Sequence, residues 1–213
     1  MIMNIELEQY IEKHTSPESD LLKKINRDTN VEVLKPHMLS GHVQGRFLSL
    51  ISRWVKPKRI LEIGTYTGYS ALCLAEGLDA DGKLITLDVN EELEERVRGY
   101  FKQSPLGNYI EYKIGDARKI IPSLNETFDL VFIDADKESY SLYYDLVIDK
   151  VPVGGCLLAD NVLWSGKVTD EKPDKDTRAI IDFNQKVSDD ERVENVPISL
   201  RDGLMMIRKI KQT

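Results

Sequence analysis

The stretch from Phe128 to Lys137, F-D-L-V-F-I-D-A-D-K, constrains the fold of this 213-residue chain more than any other. Its apolar run, Leu130–Ile133, is unbroken, which is typical of a central parallel strand that is buried on both faces. The run ends in two carboxylates and a lysine. In open α/β sheets, ligands bind at the carboxyl ends of the strands. We therefore expect Asp134, Asp136 and Lys137 to lie at the functional edge of a parallel sheet.

The sequence after Lys58 alternates between short apolar runs and amphipathic segments, as expected for an α/β protein. Five strands are predicted: Arg59–Ile63, Leu84–Leu87, Ile110–Ile114, Leu130–Ile133 and Cys156–Ala159. Helices are predicted over Ala71–Leu78, Glu91–Gln103, Arg118–Ile121, Ser139–Asp149 (with Leu142, Leu146 and Val147 as its apolar face) and Thr177–Ser188. Glu194–Leu200 and Leu204–Ile210 predict a final antiparallel hairpin around Asp202-Gly203. Together these elements indicate one doubly wound domain over residues 1–213, with its α/β core in residues 58–213.

Three helices are predicted before the first strand, in residues 1–54. Residues 4–13 have weak helical character, and Ser16-Pro17-Glu18 supplies a start signal for a helix to about Arg27. After Pro36, apolar residues repeat at helical spacing and predict an amphipathic helix: Val43, Phe47, Leu50, Ile51 and Trp54. We expect these helices to form a lid over the edge of the sheet, facing a polar, mobile loop at residues 165–176.

The composition argues against several functional classes. A net charge of −7 opposes general affinity for nucleic acids or anionic membranes. Cys73 and Cys156 lie in apolar segments without metal-ligand spacing, so we expect reduced core thiols. The N-terminal residues are too acidic for a transit peptide and lack the apolar block of a signal peptide, and no segment has the length of a membrane span. These features predict a cytoplasmic protein.

The segment I-L-E-I-G-T-Y-T-G-Y-S has the pattern of a ligand-binding turn between a strand and a helix. Gly64 and Gly68 let the backbone approach a ligand closely, and Asp88, 24 residues after Gly64, is placed to bind a ribose diol. Tyr66 replaces the middle glycine of the dinucleotide fingerprint, which disfavours NAD and FAD. Glu62 suits a cationic group such as an α-amine. The pattern predicts a nucleoside-bearing cofactor; the alternative is a tight turn that binds nothing.

Three oxygen-bearing side chains, those of Asp134, Asp160 and Asn161, end neighbouring predicted strands. Two carboxylates and an amide oxygen suit a hard cation such as Mg²⁺. Taken singly, each has a structural alternative as a helix cap or a turn residue. Lys137, three residues after Asp134, is either a general base beside the metal or a surface lysine. Trp164 follows the metal candidates and is either a stacking platform for an aromatic substrate or a packing residue.

In combination, five motifs resemble one enzyme family. E-I-G-T-Y-T-G-Y-S, the strand-terminal Asp88, G-D-A, F-I-D-A-D-K and A-D-N-V-L-W occur in the order found in cation-dependent class I O-methyltransferases, the catechol and caffeoyl-CoA type with their bacterial relatives. The similarity runs from about Lys35 to the C-terminus. It implies a Rossmann-like, seven-stranded, mostly parallel sheet of order 3-2-1-4-5-7-6. The lid departs from the plant-type pattern, in which an acid precedes G-Q-F-L, because the corresponding run here is H-V-Q-G-R-F-L.

The resemblance also implies ligands and residue roles. S-adenosylmethionine would be the cofactor, and Mg²⁺, or another divalent cation such as Mn²⁺ or Ca²⁺, the metal. The implied cofactor-binding residues are Met38, Ser40, Glu62, Gly64, Tyr66, Gly68, Ser70, Asp88, Asp116, Ala117 and Asp134. The implied metal ligands are Asp134, Asp160 and Asn161. Lys137 would be the base, with Asp134 and Asn161 completing the catalytic set, and Trp164 and Lys137 would contact the substrate.

These features favour a metal-dependent O-methyltransferase acting on a small aromatic with vicinal hydroxyl groups. Two alternatives remain. One is methylation of a hydroxyuridine in tRNA, because some bacterial relatives in the family modify tRNA; the acidic charge balance weighs against it. The other is a non-catalytic cofactor-binding module, which the metal triad and Lys137 argue against. The resemblance further implies a homodimer.

Overall fold

The computed structural model describes residues 5–212 and contains a seven-stranded sheet flanked by helices. In chain order the strands are β1 (Arg59–Ile63), β2 (Lys83–Asp88), β3 (Ile110–Ile114), β4 (Leu130–Ile133), β5 (Cys156–Asp160), β6 (Val193–Ile198) and β7 (Leu204–Lys209). They lie in the order β3-β2-β1-β4-β5-β7-β6. The first five are mutually parallel, and β7 pairs antiparallel with both β5 and β6. The predicted topology is confirmed.

Eight α-helices surround this sheet in the described part of the chain. They are α1 (Ile5–His14), α2 (Asp20–Glu32), α3 (Gly41–Val55), α4 (Tyr69–Ala75), α5 (Glu94–Gln103), α6 (Ala117–Ser123), α7 (Tyr140–Ile148) and α8 (Lys175–Asp189). A short 3₁₀ turn, Pro36–Met38, joins α2 to α3, and the segment Trp164–Thr169, which is kinked by left-handed backbone at Ser165 and Gly166, follows β5. Within residues 5–212, no helix combines the length and apolar character needed to cross a bilayer.

The core lies on both faces of β4, whose four side chains are all fully buried. Val131 and Ile133 pack with residues of α7 and α8 on one face. Leu130 and Phe132 pack on the other face with α4 and with Leu22 and Ile25 of α2, so the N-terminal helices share the main core. Burial on both faces is why the uninterrupted apolar run forms a central strand, and it leaves only the strand's carboxyl end available for polar chemistry.

Several local predictions were wrong about where an element begins or ends, or about which of its residues are buried. Ser19, and not Ser16, caps α2, because its hydroxyl accepts the Leu22 amide; the helix runs on to Glu32. The kinked segment Trp164–Thr169 takes up five of the twelve residues of the predicted loop 165–176. On α7 the predicted Val147 is buried, but three tyrosines and Ile148 complete the buried face, and Leu142 is 45% exposed. On α3, Leu50 and Trp54 are exposed although they share the apolar spacing. The part of the predicted first helix at residue 4 lies outside the described residues.

Candidate active site

The loop after β1 is in direct backbone contact with the carboxyl end of β4. Gly64 has a φ of 102°, and a Cβ atom there would overlap the carbonyl group of Asp134. Gly68 has a φ of 81° and begins α4, where a side chain would collide with Phe101. These are two positions at which only glycine fits both the space and the backbone conformation. The cofactor loop predicted from sequence therefore lies directly beside the predicted metal edge.

Glu62, the acid preceding this loop, is completely buried at the end of β1. Its Oε2 accepts a hydrogen bond from the Thr86 hydroxyl, whereas Oε1 has no hydrogen-bond partner among the described residues. Burial raises the pKa of Glu62 to about 8, and the Ser70 and Thr86 hydroxyl groups oppose that rise. A buried carboxylate oxygen without a donor is costly unless a ligand supplies one. The site therefore fits the amine of an amino-acid-bearing cofactor.

A narrow cleft separates this loop from the lid. The predicted cofactor residues that line it are Met38, Ser40, Gly64, Tyr66, Ser70 and Asp134. Its cavity volume is only about 10 Å³, whereas pockets for small molecules and cofactors have volumes of about 300–1,000 Å³. The Tyr66 hydroxyl donates to the carbonyl groups of Leu34 and Lys35 and so helps to hold the lid down. The cleft is therefore too narrow to enclose a ligand of nucleoside size by itself.

Three further predicted cofactor residues, Asp88, Asp116 and Ala117, lie at or just after the ends of β2 and β3, and like Glu62 and Gly68 they are outside the lining of this cleft. Asp88 Oδ2 accepts the backbone amides of Thr65, at 3.0 Å, and Tyr66, at 2.7 Å, so this carboxylate shapes the loop. Asp116 caps α6 and pairs with Arg118. Ala117 is buried at the start of the same helix. Asp88 therefore fixes the glycine loop, a structural role that the sequence did not predict.

Asp134, Asp160 and Asn161 come together at the ends of β4 and β5. Asp160 is 2% exposed, and its Oδ1 accepts the Asn161 amide at 2.9 Å. Burial and the charge of Asp134 raise the pKa of Asp160 to about 6, which Gln44 and Lys137 partly oppose. The Asn161 side chain makes no hydrogen bond to another described residue. Two repelling carboxylates beside an uncommitted amide form a donor set that suits a dication.

The metal assignment depends on Asn161. Among residues 5–212, no group of three or more His, Cys, Asp and Glu side chains is arranged to hold a metal ion. The two carboxylates of this edge therefore need the amide oxygen as a third protein ligand. Mg²⁺ is compatible with that set, because it commonly keeps several water ligands and takes few carboxylates.

Lys137 lies against this edge with its side chain 11% exposed. Its Nζ donates to Asp134 Oδ1 at 3.1 Å and to the Tyr140 hydroxyl at 2.6 Å. The Tyr140 hydroxyl in turn donates to the Asp160 backbone carbonyl at 3.0 Å. The Trp164 ring centre is 6.0 Å from Lys137 Nζ. Lys137 is thus a positioned group and not a solvated surface lysine.

Sequence reasoning missed Tyr140, although a signal was present. Asp134, Lys137 and Tyr140 follow one another at intervals of three residues, and the 3₁₀ turn Lys137–Ser139 stacks side chains at that spacing. Asp136, the other acid of the stretch, accepts a hydrogen bond from the Tyr143 hydroxyl at 2.5 Å. It therefore has a structural partner away from the metal edge.

The turn between β6 and β7, which the sequence predicted around Asp202-Gly203, adjoins the same edge, and this contact was not foreseen. Its Asp202 carboxylate accepts the Ser165 amide, and the Asp202 carbonyl accepts the Leu163 amide at 2.9 Å. This anchors the segment after β5, in which Asn161, Trp164 and Ser165 have φ values of 59°, 47° and 54°. The turn therefore supports the segment that carries both a metal candidate and Trp164.

A sheet of this order, with a glycine turn after β1 and acids at the ends of β2, β4 and β5, defines a class I methyltransferase. A sequence model of the O-methyltransferase family matches residues 12–210. The chain belongs to the class I S-adenosylmethionine-dependent O-methyltransferase family.

Several known proteins resemble this chain in sequence or structure. Caffeoyl-CoA O-methyltransferase 2 of Petunia hybrida is 33% identical over 187 residues, which is 81% of this chain and 77% of the relative. The SAH-bound methyltransferase PaMTH1 of Podospora anserina superposes with a TM-score of 0.90 at 27% identity, covering 99% of this chain and 98% of that one. The O-methyltransferase of Bacillus cereus in complex with SAH gives a TM-score of 0.88 at 27% identity, covering 96% and 97%.

Proposed function

We propose that this protein is a divalent-metal-dependent O-methyltransferase that methylates a small aromatic acceptor with vicinal hydroxyl groups, with Lys137 as the base. The observation that carries the proposal is the position of Lys137 Nζ. It contacts Asp134 and Tyr140 at the sheet edge that also holds Asp160 and Asn161, and the glycine loop touches this edge through Asp134. The similarity to caffeoyl-CoA O-methyltransferases supports an aromatic acceptor.

In this proposal, each group of site residues binds a different part of the cofactor or the metal. Glu62 and Ser70 bind the amino-acid end of the cofactor, assisted by Met38 and Ser40. Gly64, Tyr66 and Gly68 line its loop, Asp88 binds the ribose, and Asp116 and Ala117 flank the adenine. Asp134, Asp160 and Asn161 hold the metal.

Methyl transfer of this kind depends mainly on holding the methyl donor and the acceptor oxygen in the correct relative orientation. S-adenosylmethionine supplies a methyl group that is transferred in line from sulfur to oxygen, so the fixed geometry of the two sites contributes much of the rate. A bound divalent cation lowers the pKa of a hydroxyl group that it ligates. Lys137, in its neutral amine form, would then accept the hydroxyl proton at Nζ while the new O–C bond forms and the S–C bond of the sulfonium breaks. Trp164 stacks on the acceptor ring, and the lid excludes water from the cleft.

The first test removes a proposed metal ligand. Asp160→Ala is expected to abolish methyl transfer while S-adenosylmethionine binding, measured by calorimetry, survives, because Asp160 lies outside the cofactor cleft lining. Asp176→Ala, at an exposed position on α8, is the matched control and should remain active. Wild-type activity that persists in excess EDTA would refute the metal role.

The second test removes the base. Lys137→Met should lower kcat by about 10²–10⁴-fold, the usual contribution of a general base, with little change in cofactor affinity. Lys175→Ala, whose side chain is 80% exposed, is the control. Full activity of Lys137→Met would exclude Lys137 as the base. A panel of catechol, caffeoyl and tRNA acceptors with labelled cofactor would then define the acceptor class.

We also propose that the protein is a homodimer, which the family resemblance implies. We propose a cytoplasmic location because its two cysteines, Cys73 and Cys156, are free thiols. Light scattering after size-exclusion chromatography tests the assembly. A mass of one chain at micromolar concentration would contradict it.

A further inference from the structure

The side chain of Gln44 on α3 connects the lid to a proposed metal ligand. Gln44 is 1% exposed, and its Nε2 donates to Asp160 Oδ2 at 2.7 Å. Its Oε1 accepts a hydrogen bond from Arg201 Nη1 at 3.1 Å. The two ends of a carboxamide have nearly the same shape, so the partners decide which end faces which neighbour. Asp160, which can only accept, takes the amide NH₂, and Arg201, which can only donate, holds Oε1, so the two partners together fix the Gln44 side chain between them.

Arg201 itself lies in the turn between β6 and β7, 157 residues from Gln44. Its guanidinium also donates to the carbonyl groups of Leu39, at 2.7 Å, and Ser40 through Nη1, and of His37, at 3.3 Å, through Nη2. One cation thus gathers three carbonyls of the lid and one side-chain amide. Nη1 carries two N–H groups and serves three of these acceptors, so at least one N–H is shared between two of them, while Nη2 serves the fourth.

We propose that Arg201 is a positioning residue for the metal edge: it orients Gln44, and Gln44 orients the Asp160 carboxylate, so that lid closure and metal-ligand geometry are set together. The inference rests on the proposed function only in taking Asp160 as a metal ligand. The hydrogen bonds to Gln44 and to the lid are properties of the chain itself.

The energetic reason lies in the burial of Asp160. Without Arg201, the buried Gln44 Oε1 would lose the Arg201 donor, and the Gln44 side chain would be free to rotate away from a carboxylate that water does not reach. Asp160 would then lose a donor while remaining close to the negative charge of Asp134, and its carboxylate would rotate to find another partner. Groups that hydrogen-bond a metal ligand fix its orientation, and their loss weakens metal affinity about 10–100-fold.

The test is a double-mutant cycle on the full chain, with Mn²⁺ as the probe and calorimetry as the readout, in the absence of cofactor and acceptor. Arg201→Ala and Gln44→Met are each expected to weaken Mn²⁺ binding by at least about 10-fold. The double variant should bind no more weakly than Gln44→Met alone, because Arg201 acts through Gln44. Arg208→Ala, an exposed position at the other end of β7, is the matched control.

A second measurement reports the stability of the lid in the ligand-free protein. Amide hydrogen exchange in residues 36–49 should accelerate in Arg201→Ala and stay at the wild-type rate in Arg208→Ala, because only Arg201 holds the lid carbonyls. If Arg201→Ala folds poorly, Arg201→Lys replaces it. A lysine keeps the charge but cannot reach all four acceptors, so an intermediate loss of Mn²⁺ affinity is expected.

The possible results separate this inference from the proposed function. Wild-type Mn²⁺ affinity in both Arg201 variants, or additive effects in the double variant, would overturn the positioning role while leaving the metal mechanism intact. A wild-type protein that does not bind Mn²⁺ would overturn the metal mechanism, and this inference with it.

Discussion

Binding of S-adenosylmethionine should release a proton from Glu62, so cofactor affinity should rise with pH. Burial raises the pKa of Glu62 to about 8 in the cofactor-free protein, and its Oε1 has no donor among the described residues. Pairing with the cofactor's ammonium group favours the ionised carboxylate and lowers that pKa. Below pH 8, binding must therefore first ionise Glu62, which costs affinity in proportion to the protonated fraction.

The size of the effect follows from that pKa. The affinity penalty is a factor of 1 + 10^(8 − pH), which falls from about 100 at pH 6 to about 11 at pH 7. Affinity should therefore increase about ninefold over this unit of pH, with close to one proton released per cofactor bound at pH 6.5. The pH range is chosen so that the cofactor's own amine stays largely protonated.

The assay is calorimetry without metal or acceptor, at pH 6 and 7, in two buffers of different ionisation enthalpy. The difference between the buffers gives the number of protons released. Glu62→Gln is the matched variant, because it keeps the size of the side chain and removes its titration; its affinity should be weaker at pH 7 and nearly independent of pH. Wild-type affinity that is equal at both pH values, or a pH dependence that survives in Glu62→Gln, would refute the role of Glu62.

Three further predictions concern the same edge of the sheet. The raised pKa of Glu62 stabilises the cofactor-free protein at low pH, and this contribution is lost as the pH rises from the pKa of the unfolded chain towards 8. In denaturant titrations, the free energy of unfolding of the wild type should therefore fall by about 2 kcal/mol between pH 6 and 8, and that of Glu62→Gln should fall by less. Tyr140→Phe removes the hydroxyl that accepts from Lys137 and donates to the Asp160 carbonyl, so it should cost about 1–3 kcal/mol of stability. It should also lower kcat with little change in cofactor affinity, and an unchanged kcat would contradict a role for Tyr140 in positioning Lys137. Gly64→Ala should lower the melting temperature and abolish cofactor binding because its Cβ overlaps the Asp134 carbonyl, whereas Gly99→Ala, in open space on α5, should stabilise the protein by up to about 1 kcal/mol.

Much of the central sheet was predictable from sequence. The bounds of β1, β3 and β4 agree with the predicted segments. For β4 the reason is that a parallel strand buried on both faces is a continuous apolar run with polar residues at its end, whereas the edge strand β3 alternates apolar and polar residues. That rule also located Asp134 and Asp160 beside each other, since neighbouring parallel strands end at one edge. The order of the strands followed from the resemblance, not from periodicity.

The errors arose where distant contacts override local signals. Ser16 and Ser19 are both acceptable helix caps, but the Ser16 carbonyl contacts His42 and Glu18 pairs with the Tyr69 hydroxyl, which holds residues 16–18 outside the helix. On α7, tyrosines form the buried face because their hydroxyl groups find partners. Gln44 and Arg201 are so far apart in sequence that no local pattern indicates their contact.

The backbone after β5 has a consequence for the protein's tolerance to engineering. Asn161, Trp164 and Ser165 adopt left-handed conformations that glycine would adopt without strain, and such conformations cost roughly 1–2 kcal/mol for residues other than glycine and asparagine. Glycine at the exposed Ser165 is therefore a route to a more heat-resistant protein, whereas glycine at Trp164 would also remove a partly buried ring beside Lys137. Because Trp164 is the proposed stacking residue for the acceptor, we expect thermostability and substrate recognition to compete at this position.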